Sequence, residues 1–109
     1  MTVDAWGDGP VAFVHGPAVA LDEYQDGTTR WVALDHTGPG ELGVWEIDPG
    51  TAHDVEADEV FVVLSGRATI AVEGSPDVPV GPGDVVRLRA GTATTWVVTE
   101  RLRKVYLTW

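Results

Sequence analysis

Two runs decide the fold: Glu59-Val60-Phe61-Val62-Val63-Leu64-Ser65-Gly66 and Gly83-Asp84-Val85-Val86-Arg87-Leu88-Arg89-Ala90-Gly91. Both are short, rich in β-branched residues and closed by glycine, the signature of strands between tight turns. The first run predicts a strand over 59–64. Ser65-Gly66 reads as a turn, and a second strand over 68–72 completes a β-hairpin. Pro82-Gly83-Asp84 predicts a tight turn into a strand over 85–88, and Ala90-Gly91 turns into another over 94–99. Gly66, Gly83 and Gly91 fall where a sharp reversal needs φ > 0, which costs least at glycine.

Outward from these runs the pattern repeats. Strands are expected over 30–34, 42–47, 78–80 and 103–109, with a further one over 11–14 in an irregular arm spanning 1–20. Asp48-Pro49-Gly50 stops one strand, and a short loop is read before Glu59. No window shows sustained helical periodicity. The total is roughly eight to ten strands, the number of a jelly roll. The reading is all-β: an antiparallel sandwich closed into a barrel, one domain over 1–109.

Composition agrees. Of 109 residues, 44% are hydrophobic and 22% charged, a globular balance. No cysteine is present, which removes disulfides and thiolate metal sites. The apolar runs are too short to span a bilayer as helices, and the first residues lack a basic region followed by an apolar stretch. A cytoplasmic protein with no membrane partner is therefore expected. The net charge of −10 repels phosphate backbones, so no nucleic-acid partner is expected either. Arg101, Arg103 and Lys104 are read as decoration on a strand.

Glu59 and Gly66 have the spacing that ends the first motif of the cupins, and Gly83 and Gly91 match the glycines of the second, with Arg89 at its proline position. Gly43-Val44-Trp45-Glu46, Pro49-Gly50, Asp58-Glu59, Pro82-Gly83-Asp84, Thr95-Trp96 and Arg103-Lys104-Val105-Tyr106 follow in order. The set resembles the small single-domain cupins related to ureidoglycine aminohydrolase and the EutQ proteins. It covers residues 42–107. The resemblance implies an RmlC-like jelly roll, a small-molecule ligand in the barrel mouth and a homodimer.

It also implies a metal in many members, held by a His-x-His pair, a Glu and a third His. Alternate strand residues face one side, so His-x-His directs both imidazoles inward. Counting from Glu59 and Gly91 places these positions at His53, Val55, Glu59 and Thr94. Only His53 and Glu59 keep ligand chemistry; valine cannot ligate and threonine is a poor substitute for imidazole. A divalent Mn, Fe, Ni or Zn is thus one expectation and no cofactor is the other.

His53 and Glu59 are the candidate catalytic residues. Without a metal, His53 would act as base or acid and Glu59 would orient or protonate. The bland alternatives are a loop histidine and a structural ion pair of Glu59 with Arg67, Arg87 or Arg89. Trp45, Thr94 and Trp96 are candidate pocket residues, against core packing. Asp54, Glu56 and Asp58 are read as a solvated acidic loop, lacking the ligand count of a calcium site. His15 and His36 are read as surface residues. Three functions stay open: an enzyme acting on a small polar metabolite, with metal or as a metal-free isomerase, epimerase or hydrolase; a non-catalytic ligand-binding or sensing module; and a structural dimer subunit.

Overall fold

The computed structural model describes residues 12, 14–21, 27–37 and 40–109. A short 3-10 turn, Gly16–Ala18, precedes seven strands: β1 (Thr29–Thr37), β2 (Gly40–Ile47), β3 (Gly50–Val55), β4 (Glu59–Ala71), β5 (Val78–Val80), β6 (Val85–Leu88) and β7 (Ala93–Thr108). Every pairing is antiparallel. The all-β jelly-roll expectation holds. No helix among the described residues is long and apolar enough to cross a membrane.

Seven strands stand among the described residues where more were expected, because β4 and β7 are each long enough to serve twice. β7 pairs β2 through Glu41–Ile47 in its C-terminal part and β3 through Gly50–Val55 in its N-terminal part. β4 pairs β6 at its start and β5 at its end. Two sheet halves result, β1-β2-β7-β4-β6 and β3-β7-β4-β5, sharing the two long strands.

The hairpin expected at Ser65-Gly66 is instead an irregularity inside β4. The register against β7 shifts between Val63 and Ala68, which bends the strand from one half into the other. Gly66 makes the bend possible on two counts. Its φ is +87°, and a Cβ there would lie 2.0 Å from the Arg101 carbonyl oxygen. The loop expected before Glu59 contains β3. The strand expected over 11–14 falls largely outside the described residues; the described ones there, 12 and 14, are not in a strand.

Burial alternates along β4 and β7 with period two, as a half-buried strand requires. Phe61, Val63, Ile70, Trp96, Val98 and Leu102 form the centre of the core between the halves. Burying each such side chain is worth about 1.5–3 kcal/mol. A second cluster, Leu21, Val32, Leu34 and Val44, lies on the outer face, with Val14, Val19 and Val105 packed against it.

Candidate functional site

A cavity of about 390 Å³ opens between the two sheet halves. Its walls follow from strand parity. Trp45 sits opposite Lys104 and Gly43 opposite Tyr106, on the inward face of β2 and β7. Ala52 faces Trp96 and Asp54 faces Thr94 across β3 and β7. Glu59 opens β4, and Trp31 pairs with Trp45 from β1.

The register explains why Gly-x-Trp-Glu and Arg-Lys-x-Tyr occur together: they are cross-strand partners. A Cβ on Gly43 would lie 2.4 Å from the Tyr106 hydroxyl oxygen, so glycine is what admits the tyrosine. Tyr106 donates to Glu41 Oε2 at 2.7 Å. Burial, reinforced by that carboxylate, pushes the phenol far above its ordinary value, so it stays protonated.

Lys104 is the centre of the inner face. Its Nζ donates to Glu59 Oε2 at 2.5 Å, with both side chains largely buried. The ammonium also lies 4.4 Å from the Trp45 ring centroid, 4.3 Å from Phe61 and 5.2 Å from Trp96. Aromatic faces carry negative potential, so three of them and a carboxylate stabilise a cation withdrawn from water. The rings brace one another: Trp96 is 5.8 Å from Trp45 and 5.6 Å from Phe61.

Glu56 faces the same cavity from just beyond β3. Its backbone N–H donates to the Thr92 carbonyl, and its own carbonyl accepts from Gly91 N–H. These bonds fix its side chain against β7. Oε1 accepts from Thr94 Oγ1 at 2.7 Å and from Trp96 Nε1 at 3.3 Å. Burial raises the Glu56 carboxyl above its ordinary value; Asp54 adds to this, while the Thr94 and Trp96 bonds and Lys104 oppose it.

The expected site residues divide accordingly. Trp45, Trp96 and Glu59 all line the cavity. Thr94 is buried behind it, holding Glu56. His53 stands at the rim, exposed, its Nδ1 within 3.0 Å of Thr95 Oγ1 and one strand position out of phase with Ala52 and Asp54. Val55 is 67% exposed and offers no donor. Among the described residues no group of three or more His, Asp or Glu side chains gathers as a metal would require. The carboxylate that metal-binding members would offer is here taken by the Lys104 ammonium. The donor set does not fit the four-ligand centre.

Three expectations need correction. Lys104 does not decorate the surface: it is buried, because residues 102, 104 and 106 share the inward face. Glu59 pairs with this lysine and not with Arg67, which instead meets Glu100. Glu56 is not part of a solvated loop; it is buried, while Asp54 beside it is exposed. Strand parity could have found Lys104. Nothing local marks Glu56, whose burial depends on Thr92, Thr94 and Trp96 far along the chain.

Comparison with known proteins places this architecture. No curated protein matches the chain. Among solved structures, the ethanolamine utilization protein Q (EutQ) of Salmonella typhimurium LT2 is similar, at 22% identity and TM-score 0.76 over 94% of this chain and 89% of that one. The Clostridium difficile EutQ protein is similar at 19% identity and TM-score 0.71, over 91% and 86%. A protein of unknown function from Rhizobium leguminosarum bv. viciae 3841 shares 26% identity at TM-score 0.70, over 78% and 84%. The family model for the EutQ-like cupin domain matches residues 34–106. With that match over most of its length, the chain belongs to the EutQ-like cupin family.

Proposed function

We propose that the protein binds a small polar metabolite in the cavity between its sheet halves and transforms it by acid–base chemistry of its own side chains. One observation carries the reading: Glu56, Glu59, Lys104 and Tyr106 all line one cavity inside a barrel that apolar residues could have filled. Buried ionisable groups are costly, and they concentrate where chemistry or recognition needs them.

The roles follow from the environments. Glu56, its carboxyl raised and so readier to take up a proton, is the general base, positioned by Thr94 and Trp96. Glu59, held by Lys104, supplies a fixed ionic pair on the other wall. Trp45 and Trp96 provide the apolar wall. His53 stands at the mouth as a second group able to meet the ligand. No step is routed through a metal, because the residues present do not assemble its ligands.

A thermal-shift screen of polar metabolites tests the reading. Hits should stabilise the wild type and fail to stabilise Ala52→Phe, which fills the cavity from β3. Hits that bind Ala52→Phe equally well would place the ligand elsewhere. Turnover lost in Glu56→Gln at saturating ligand marks catalysis; binding with no turnover in the wild type supports the non-catalytic module instead. The enclosure of Lys104 by three rings favours that second reading. His53→Ala with unchanged turnover removes the rim histidine from the mechanism.

The same reading includes a second copy of the chain. Val62, Val85, Leu107 and Trp109 stay exposed, and a small domain gains from covering such surface. Light scattering that returns a monomer at micromolar concentration overturns the dimer.

A further inference from the structure

We infer that the ligand taken by this cavity is a small organic cation, an alkylammonium, held between the indole wall and the carboxyls of Asp54 and Glu56. The inference rests on the reading that the cavity binds a metabolite, and it names the class.

The first support is charge. Among the described residues lining the cavity, Glu41, Asp54, Glu56 and Glu59 carry carboxyls, and Lys104 is the one lysine or arginine. That ammonium is committed to Glu59. Tyr106 satisfies one oxygen of Glu41 as a neutral donor. Among the described residues Asp54 accepts only its neighbour's backbone N–H, from Val55. Among the described residues nothing donates to Glu56 Oε2. Among the described residues the far side of the cavity is therefore left with carboxyl oxygens and no lysine or arginine to meet them; Glu41 Oε1 has His36 Nδ1 at 3.8 Å, and His53 stands at the rim.

The second support is independent of the carboxyls. Trp31, Trp45 and Trp96 line the same space, and the wall already shows what it holds: Trp45 and Trp96 flank the molecule's own ammonium at 4.4 and 5.2 Å. An alkylammonium on the open side of those indoles would repeat that contact, with Asp54 and Glu56 in the place Glu59 takes for Lys104. A carboxylate ligand would instead face like charge, with no lysine or arginine among the described lining residues free to offset it. The volume of about 390 Å³ lies at the small end for ligand sites, which suits a compact molecule.

The test compares two probes of matched size and opposite charge, n-propylammonium and propionate. Both are titrated into ¹⁵N-labelled protein while the indole N–H resonances are followed. Trp96 reports directly, since its Nε1 donates to Glu56; exposed Trp109 is the control. Propylammonium should shift the Trp96 signal saturably and leave Trp109 unmoved, with propionate roughly tenfold weaker or worse. Asp54→Asn, at an exposed position that leaves the fold intact, should reduce that preference, and Glu56→Gln should reduce it further. Propionate binding as well as propylammonium at Trp96, or a preference unchanged in both variants, overturns the inference. So does silence from both probes. The broader reading survives any of these if the metabolite screen yields hits that Ala52→Phe abolishes.

Discussion

Glu46 and Arg103 lie beside Trp45 and Lys104 on the same two strands, one residue away and on the opposite face of the sheet. Both faces hold ion pairs, yet the two do different work. Outside, Glu46 is gripped by Arg30 and by Arg103, whose Nε reaches Glu46 Oε2 at 2.9 Å. Arg103 Nη1 also donates to the carbonyls of Gly16, Pro17 and Val19, at 3.0, 3.2 and 2.7 Å. That arginine is a clasp, tying the segment around the 3-10 turn to β7. Inside, Lys104 donates to one carboxylate and otherwise faces aromatic rings beside a cavity. Neighbouring motif residues thus divide between holding the fold and building the site, and alternation along the strand is what separates them.

The largest effect that would break this comparison is expected on the inner face. Lys104→Met leaves Glu59 buried without its partner, which should cost about 3–5 kcal/mol. The double variant Glu59→Gln/Lys104→Met removes both charges and should recover most of that loss. Denaturant unfolding of the three proteins measures both steps. If the single and double variants are equally destabilised, the pair is not the unit described and the cost lies in lost packing around the lysine stem.

Arg103→Ala should come next. Removing a guanidinium with four hydrogen bonds should cost about 1.5–3 kcal/mol, the range for hydrogen bonds to charged groups. The loss should be accompanied by faster proteolysis near residues 14–21, which Arg103 tethers, while cavity ligands still bind. Weakened ligand binding at intact fold would sharpen the comparison differently, by showing that the outer clasp also positions the inner wall.

Lys104 and Glu56 mark how far the sequence alone reveals the site. The barrel was legible because much of its punctuation is local: the Pro82-Gly83-Asp84 turn acts through its own backbone, whereas Gly66 reads as a hairpin turn and is a bend inside β4 set partly by its approach to Arg101. Lys104 was half legible. The spacing Leu102, Lys104, Tyr106 places all three on one face, but charge argued for the surface, and only the cross-strand rings and Glu59 outweigh that. Glu56 was not legible, because its neighbours Asp54 and Asp58 make the segment look solvated. Its burial depends on hydrogen bonds to Thr94 and Trp96, residues 38 and 40 positions along the chain. The missing histidines at Val55 and Thr94 were visible at once; that Thr94 would hold a carboxyl in place of a metal was not.

The smallest effect separates Glu56 from its acidic neighbours by pH alone. Burial raises its carboxyl, with Asp54 acting the same way and Thr94, Trp96 and Lys104 acting against. A carboxyl raised on folding binds its proton more tightly folded than unfolded. Folding is therefore favoured by this group at low pH, and the advantage declines as pH climbs from the ordinary value of 4.5 through the raised one. Glu56→Gln keeps an acceptor for Thr94 and Trp96 but has no proton to lose. The variant's melting temperature relative to wild type should therefore rise as pH is increased above 4.5, then level off once Glu56 is ionised. Asp54→Asn should show a shallower version, through its effect on Glu56. A difference between Glu56→Gln and wild type that stays flat with pH would mean the cavity solvates this carboxyl as water does, and would return Glu56 to the acidic loop its sequence suggests.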